Sequence, residues 1–199
     1  MAKIKLTKNE LKKQKDQLKR FQRYLPTLLL KKQLLQMEIR QVEVQIEEKR
    51  QERDSAQEAL FNWVDVFGED VDISGLVKVK EVKLASLNIA GVEVPVFEEI
   101  AYENIAYDLM HYPLWVDAGV KKLQEMLAFD VELSILEEQA ELLAAELRTT
   151  SQRVNLFEKV KIPDTKENIR YINIFLGDQQ TAAVVRGKMS KSKLVRGTG

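Results

Sequence analysis

A seven-residue apolar repeat runs without a skip from Leu11 to Phe67. Its a positions hold Leu11, Leu18, Leu25, Lys32, Ile39, Ile46, Arg53, Leu60 and Phe67. Its d positions hold Gln14, Phe21, Leu28, Leu35, Val42, Lys49, Ala56 and Trp63. Thirteen of these seventeen are apolar, and the exceptions are mostly long side chains that can lie along a seam with their heads in water. A repeat of seven held this long specifies a left-handed coiled coil. At 1.5 Å per residue, a helix of roughly 60 residues is about 90 Å long. A chain of 199 residues cannot fold into a compact ball around it.

The stretch QRYLPTLLLKKQLLQ carries a proline at position 26 inside this repeat. Pro26 falls at b, on the outer face, where water can satisfy the carbonyl of Gln22 that loses its partner. An interior proline costs about 3 kcal/mol and bends the helix. Because the frame does not skip, a continuous, bent helix is the favoured reading. A second helix starting at Pro26 after a short break is the alternative.

A second helical pattern begins after Pro113. Val116, Val120, Leu123 and Leu127 set its first spacing, and a shifted frame continues through Leu133, Leu136, Ala140, Leu143, Leu147, Val154 and Phe157. Near Pro163 the frame slips by one residue, then resumes at Ile169, Ile172, Leu176 and Ala183. Such slips change the local winding of a helix pair. The arms are of similar length and can pack antiparallel if the middle turns the chain round.

Residues 68–113 have a different period. Val77, Val79, Val82, Leu84, Leu87 and Ile89 nearly alternate, and Val92, Val94 and Val96 alternate beyond Gly91. This predicts a β-hairpin. Pro95 cannot donate to a ladder, so its strand is an edge or its nitrogen faces outward. EEIAYENIAYDLM reads as a short helix with Tyr102, Ile105, Ala106 and Leu109 on one face. A lone two-stranded hairpin is marginal, so it is expected to pack on the coil or on a partner. Trp63, Phe67 and Trp115 fall where the arms meet this module and read as core.

The predicted fold is therefore mainly α. A long antiparallel two-helix coiled coil is formed by the N- and C-terminal helices (1–67 and 114–199), with a central β-hairpin and short helix at 68–113.

Formal charge sums to zero, 31 cations against 31 anions, but it is segregated. Residues 1–40 hold twelve Lys or Arg and three Asp or Glu, residues 62–117 hold three and eleven, and residues 183–199 hold five and none. Folding the arms together is expected to bring Lys12, Lys13, Lys15, Lys19, Arg20 and Arg23 level with Arg186, Lys188, Lys191 and Lys193. A tip this basic suits an acidic or polar partner, with Lys12, Lys19, Arg20, Arg23, Arg186 and Lys188 as candidate contacts. Solvated faces are the plain alternative. Basic ends could also attract nucleic acid, but no aromatics interleave with them, so no nucleic-acid partner is expected.

No active-site constellation is visible, and the reading is of a non-enzyme without cofactor or metal. VVRGKMSKSK lacks the earlier glycine and the following Ser or Thr of a phosphate loop. His111 is the single histidine and there is no cysteine, which makes a poor metal set. GEDVDISG lacks the spacing and terminal glutamate of a calcium loop. The N-terminus has no apolar core of signal-peptide length, and no apolar run reaches bilayer-spanning length. A soluble, cytoplasmic chain without membrane insertion is expected.

Three stretches carry a resemblance: LTKNELKKQKDQLKRFQRYLPTLLLKKQLLQMEI near the start, LNIAGVEVPVFEE in the hairpin, and SQRVNLFEKVKIPDTKENIRYINIFLGD near the end. Together they resemble, in order and over nearly the whole chain, the D subunits of V-type and archaeal-type rotary ATPases. The resemblance implies a central rotor shaft. Its paired terminal helices would enter a catalytic hexamer of A and B subunits. Its other end, with the small F subunit, would dock on the membrane rotor through the C (or d) subunit, leaving the chain cytoplasmic and peripheral to the membrane. Torque would pass between ATP hydrolysis or synthesis and ion transport, the ion being proton or sodium. The head-facing end would carry Lys12 to Arg23 and Arg186 to Lys188, and residues 68–113 would form the base. A prefoldin-like coiled-coil chaperone or a plain scaffold is the alternative.

Overall fold

The computed structural model describes residues 4–61, 74–103, 105, 112–113 and 115–197. Trp63, Phe67, Ala106, Leu109, His111, Leu114 and most of GEDVDISG lie outside the described residues. Helix α1 spans Lys8–Phe61. A 3-10 turn at Ser74–Leu76 precedes strands β1 (Val79–Ile89) and β2 (Val92–Tyr102). Helix α2 follows (Val116–Leu156), then a π-turn (Phe157–Lys161) and helix α3 (Ile162–Gly197).

Helix α1 runs through Pro26 without a break. The proline is exposed on the outer face, and the next residue adds a bond of its own, Thr27 Oγ1 donating to the Tyr24 carbonyl at 2.8 Å. At its start the Thr7 hydroxyl accepts from the Glu10 N–H, an N-cap arrangement. The heptad frame holds: every a and d position from Leu11 to Leu60 is buried or half-buried, while most positions between them are exposed.

The chain divides into two compact units. The first comprises residues 32–148 and contains the hairpin. Its core joins Leu35, Val42 and Ile46 of α1 to Leu133 and Leu143 of α2 and to Val94 of β2. Leu35 and Leu143 are fully buried, each worth about 1.5–3 kcal/mol relative to exposure. The hairpin tip, Ile89, Ala90 and Val92, packs on this cluster. The two-stranded sheet thus gains the second layer that it needs for stability.

Strands β1 and β2 pair antiparallel, closing at Ile89–Val92 around the two-residue loop Ala90–Gly91. Both loop residues have positive φ, 52° and 84°, as the type I′ turn of a tightly twisted hairpin requires. The Asn88 side chain accepts from the Gly91 N–H. Counting from the closing pair, Pro95 opposite Ser86 takes a non-hydrogen-bonded position, where the missing N–H costs no ladder bond. Register shifts between Val79 and Glu81 and between Lys83 and Leu84 are the irregularities that the imperfect alternation predicted.

The short helix expected over EEIAYENIAYDLM is corrected at its start. Glu98 to Tyr102 belong to β2, with Ile100 opposite Val82 and Tyr102 opposite Val79. The partner strand is long enough to pair them, and pairing overrides a helical period that only a few residues carry. Tyr102 then donates its hydroxyl to the Gln124 carbonyl at 2.6 Å, tying the hairpin base to α2. Burial pushes the Tyr102 phenol above its usual range.

The second unit comprises residues 1–31 and 149–199. Its seam is Leu11, Gln14, Leu18, Phe21, Leu25 and Leu28 on one helix, half-buried, and Thr150, Val154, Thr165 and Ile172 on the other, buried. Phe21 and Phe157 stack with ring centroids 5.3 Å apart. The one-residue slip read near Pro163 coincides with the π-turn at Phe157–Lys161.

Candidate interaction surface

Within residues 32–148 the two helices are joined across the seam by charge as well as by apolar contact. Lys49 and Arg53 occupy d and a positions that Leu would ordinarily take. Lys49 Nζ lies 3.0 Å from Glu52 and 3.2 Å from Glu132, and 5.7 Å above the Phe129 ring. Arg53 pairs with Asp54 at 2.7 Å and reaches Asp130 at 3.8 Å. Arg50 meets Glu137 at 2.6 Å. The order of these partners, Lys49 with Glu132 and Arg53 with Asp130, shows that α1 and α2 run antiparallel. The hydrogen bond to Glu52 and then the neighbouring Glu132 hold the Lys49 ammonium above its usual range, against the opposing effect of burial.

Helix α2 buries a second face here. Ile135 and Gln139 are buried although they lie off the seam, and Gln139 Nε2 donates to the Pro95 carbonyl. The hairpin therefore docks beside the seam, on a face of α2 that the heptad count leaves outside it.

The sequence-predicted contact residues all lie in the other unit, and all are exposed: Lys12, Lys19, Arg20 and Arg23 on α1, Arg186 and Lys188 on α3. The two groups are not level, which corrects the expectation from sequence. With Phe21 stacked on Phe157 and the helices antiparallel, Lys12 falls opposite about residue 166. Arg186 lies about twenty residues further on, or about 30 Å at 1.5 Å per residue. The reason is visible in the burial pattern. Leu176 is half-buried, and every residue from Gly177 to Lys193 is exposed. Ala183, expected on the seam, is exposed with them. The C-terminal half of α3 has outrun its partner helix.

That overhang is not purely polar. Val184, Val185 and Met189 are each about half exposed or more, between Arg186, Lys188, Lys191 and Lys193. A helix of this kind, bare on all sides and mixing cations with aliphatic side chains, can lie inside a sleeve of partner proteins, where each flank meets a different wall.

A third surface escaped the sequence reading. Met37 and Val44, seven residues apart on the outer side of α1, are 50 % and 56 % exposed. Gln33, Gln41 and Gln45 flank them and line a shallow groove. The signal was present in the sequence, as apolar residues at the outermost heptad position, but the a and d seam alone was traced.

Among the described residues no group of His, Asp or Glu could hold a metal ion, and no helix is long and apolar enough to cross a membrane. Fold and surface together define a coiled-coil protein, of which one unit bears a docked hairpin and the other a basic helical overhang.

The family model for the ATP synthase D subunit matches residues 10–192. The chain is 56 % identical over 196 residues to a V-type ATP synthase D subunit of Borreliella burgdorferi, covering 98 % of this chain and 97 % of that one. It is 35 % identical over 196 residues to the V-type ATP synthase D subunit of Chlamydia caviae, covering 97 % and 94 %. Against that of Chlamydia trachomatis it is 33 % identical over 198 residues, covering 97 % of each. The chain belongs to the family of ATP synthase D subunits, the stalk components of rotary ATPases.

Proposed function

We propose that this chain is the central rotor shaft of a V-type rotary ATPase, carrying torque between a catalytic hexamer of A and B subunits and a membrane rotor. The observation that carries the reading is the bare helix from Gly177 to Lys193. A long helical segment without a partner of its own is stable only when something else surrounds it, since isolated helices are marginal in water. Membership in the family of ATP synthase D subunits, components of a complex of several subunits, supports such a setting. The bare segment, with Lys12, Lys19, Arg20 and Arg23 behind it and Arg186 and Lys188 within it, faces the hexamer. The unit that bears the hairpin serves the F subunit and the C (or d) subunit that docks on the membrane rotor. The chain itself is non-catalytic, and it sits at the membrane periphery through its partners.

The mechanism follows from asymmetry. Three catalytic sites of like chemistry would meet three different flanks of one helix pair. Each flank favours one conformation by its differential contact, so rotation of the shaft shifts the populations at all three sites together. Seam-locked helices resist twisting, which lets rotation at one end be felt at the other.

Removing Val185 to Gly199 tests the assignment. The shortened chain should keep its melting temperature and lose only the helical signal of the removed segment, because Val185 to Lys193 make no buried contact. In the assembled complex, ATP hydrolysis should lose most of its coupling to ion movement. Hydrolysis that stays fully coupled would show that the overhang does not face the hexamer.

A further inference from the structure

The seam of α2, counted in sevens, passes through Leu143, Leu147, Thr150, Val154 and Phe157, all buried or half-buried. Continued unchanged, the count lands on Lys161, Asp164, Asn168 and Tyr171, all exposed but the half-buried Asn168. The positions one residue later, Ile162, Thr165, Ile169 and Ile172, are all buried or half-buried. The extra residue is held in the π-turn, where the Ile162 N–H donates to the Phe157 carbonyl, five residues back instead of four. Two residues around the turn fit this shape. Pro163 has no N–H to give, and in a straight α-helix its ring would crowd the Lys159 carbonyl. Thr165 donates its hydroxyl to the Lys161 carbonyl at 2.6 Å, so its buried side chain is satisfied within the same turn.

We propose that the π-turn and Pro163 form a phase-setting joint. The turn stores one residue beyond the heptad count, and the proline keeps it from migrating along the helix. Together they rotate α3 by about the 100° that one helical residue spans, so that Thr165 and Ile172 face the N-terminal segment of α1. The joint also fixes the direction in which Arg186, Lys188, Lys191 and Lys193 point about the α3 axis. Only the meeting of those cations with a partner rests on the rotor reading.

The chain has no cysteine, so single cysteines placed at 171, 172 or 173 report which face is covered. Tyr171 is 59 % exposed, Ile172 is fully buried and Asn173 is exposed. In the full-length chain, deleting Val160 together with Pro163→Ala removes the stored residue and its pin. A cysteine at 172 should stay about tenfold slower to react with a maleimide than those at 171 and 173, and the melting temperature should hold or rise. Protection passing to 173, or loss of the helical circular dichroism signal, would overturn the proposal. Deleting Glu141 instead, inside regular helix, should lower the melting temperature, and equal tolerance of the two deletions would also overturn it. Pro163→Ala alone leaves the residue stored but unpinned, so amide exchange across Glu158–Ile162 should quicken about tenfold; unchanged exchange removes the proline's part. None of these readouts needs the assembled complex, so they stand apart from any test of the shaft.

Discussion

Lys49 of α1 places its Nζ 3.2 Å from the Glu132 carboxylate of α2, at a seam position where the heptad repeat calls for an apolar side chain. Such a cation fixes alignment at some expense of packing. Lys49→Leu should therefore stabilise the isolated chain by about 1 kcal/mol, because a buried leucine outweighs partly exposed ion pairs. Lys49→Glu, which sets a third carboxylate beside Glu52 and Glu132, should destabilise it by about 1–2 kcal/mol. Urea unfolding followed by circular dichroism distinguishes the two.

The same lysine and the cross-strand pair Lys83–Glu99, 2.9 Å apart, set opposite ends of a pH window. Lys49 is raised above its ordinary 10.5, chiefly by its hydrogen bond to Glu52. Its contribution is complete below 10.5 and is lost as pH climbs through the higher folded value. Glu99 is lowered below its ordinary 4.5 by its hydrogen bond to Lys83. Its contribution is present above 4.5 and is lost as pH falls through the lower folded value. An NMR titration of the Glu99 carboxyl should show its midpoint rising toward 4.5 in Lys83→Met.

Core and outer face should respond differently to truncation. Leu143→Ala removes a fully buried side chain and should cost about 2–5 kcal/mol. Leu30→Ala removes one that is 65 % exposed and should cost less than about 0.5 kcal/mol in the isolated chain. Equal losses in denaturant melts would mean that Leu30 is covered.

The hairpin loop offers a gain. Ala90 holds φ at 52°, a region that Asn or Gly tolerates better than Ala. Ala90→Asn should stabilise the hairpin by about 0.5–1 kcal/mol, read as slower amide exchange in β1 and β2.

Much of this was legible because it is local and periodic. The seam from Leu11 to Leu60, the strand runs meeting at Ala90–Gly91 and the slip before Pro163 all follow from spacing along the chain. What was not legible depends on pairings between distant segments. Ile135 and Gln139 are buried because the hairpin folds onto α2 beside the seam, and no count along α2 reveals that. Glu98 to Tyr102 extend β2 because Val79 to Lys83 lie opposite, not because of their own period. The mismatch between Lys12 and Arg186 follows from the alignment that Phe21 and Phe157 set, which no repeat encodes.

Stoichiometry by native mass spectrometry tests the central claim most directly. The complex captured through this chain should contain one copy of it for every three A and three B subunits. Several copies around one hexamer, or capture of the chain without A and B subunits, would contradict a single shaft at its centre.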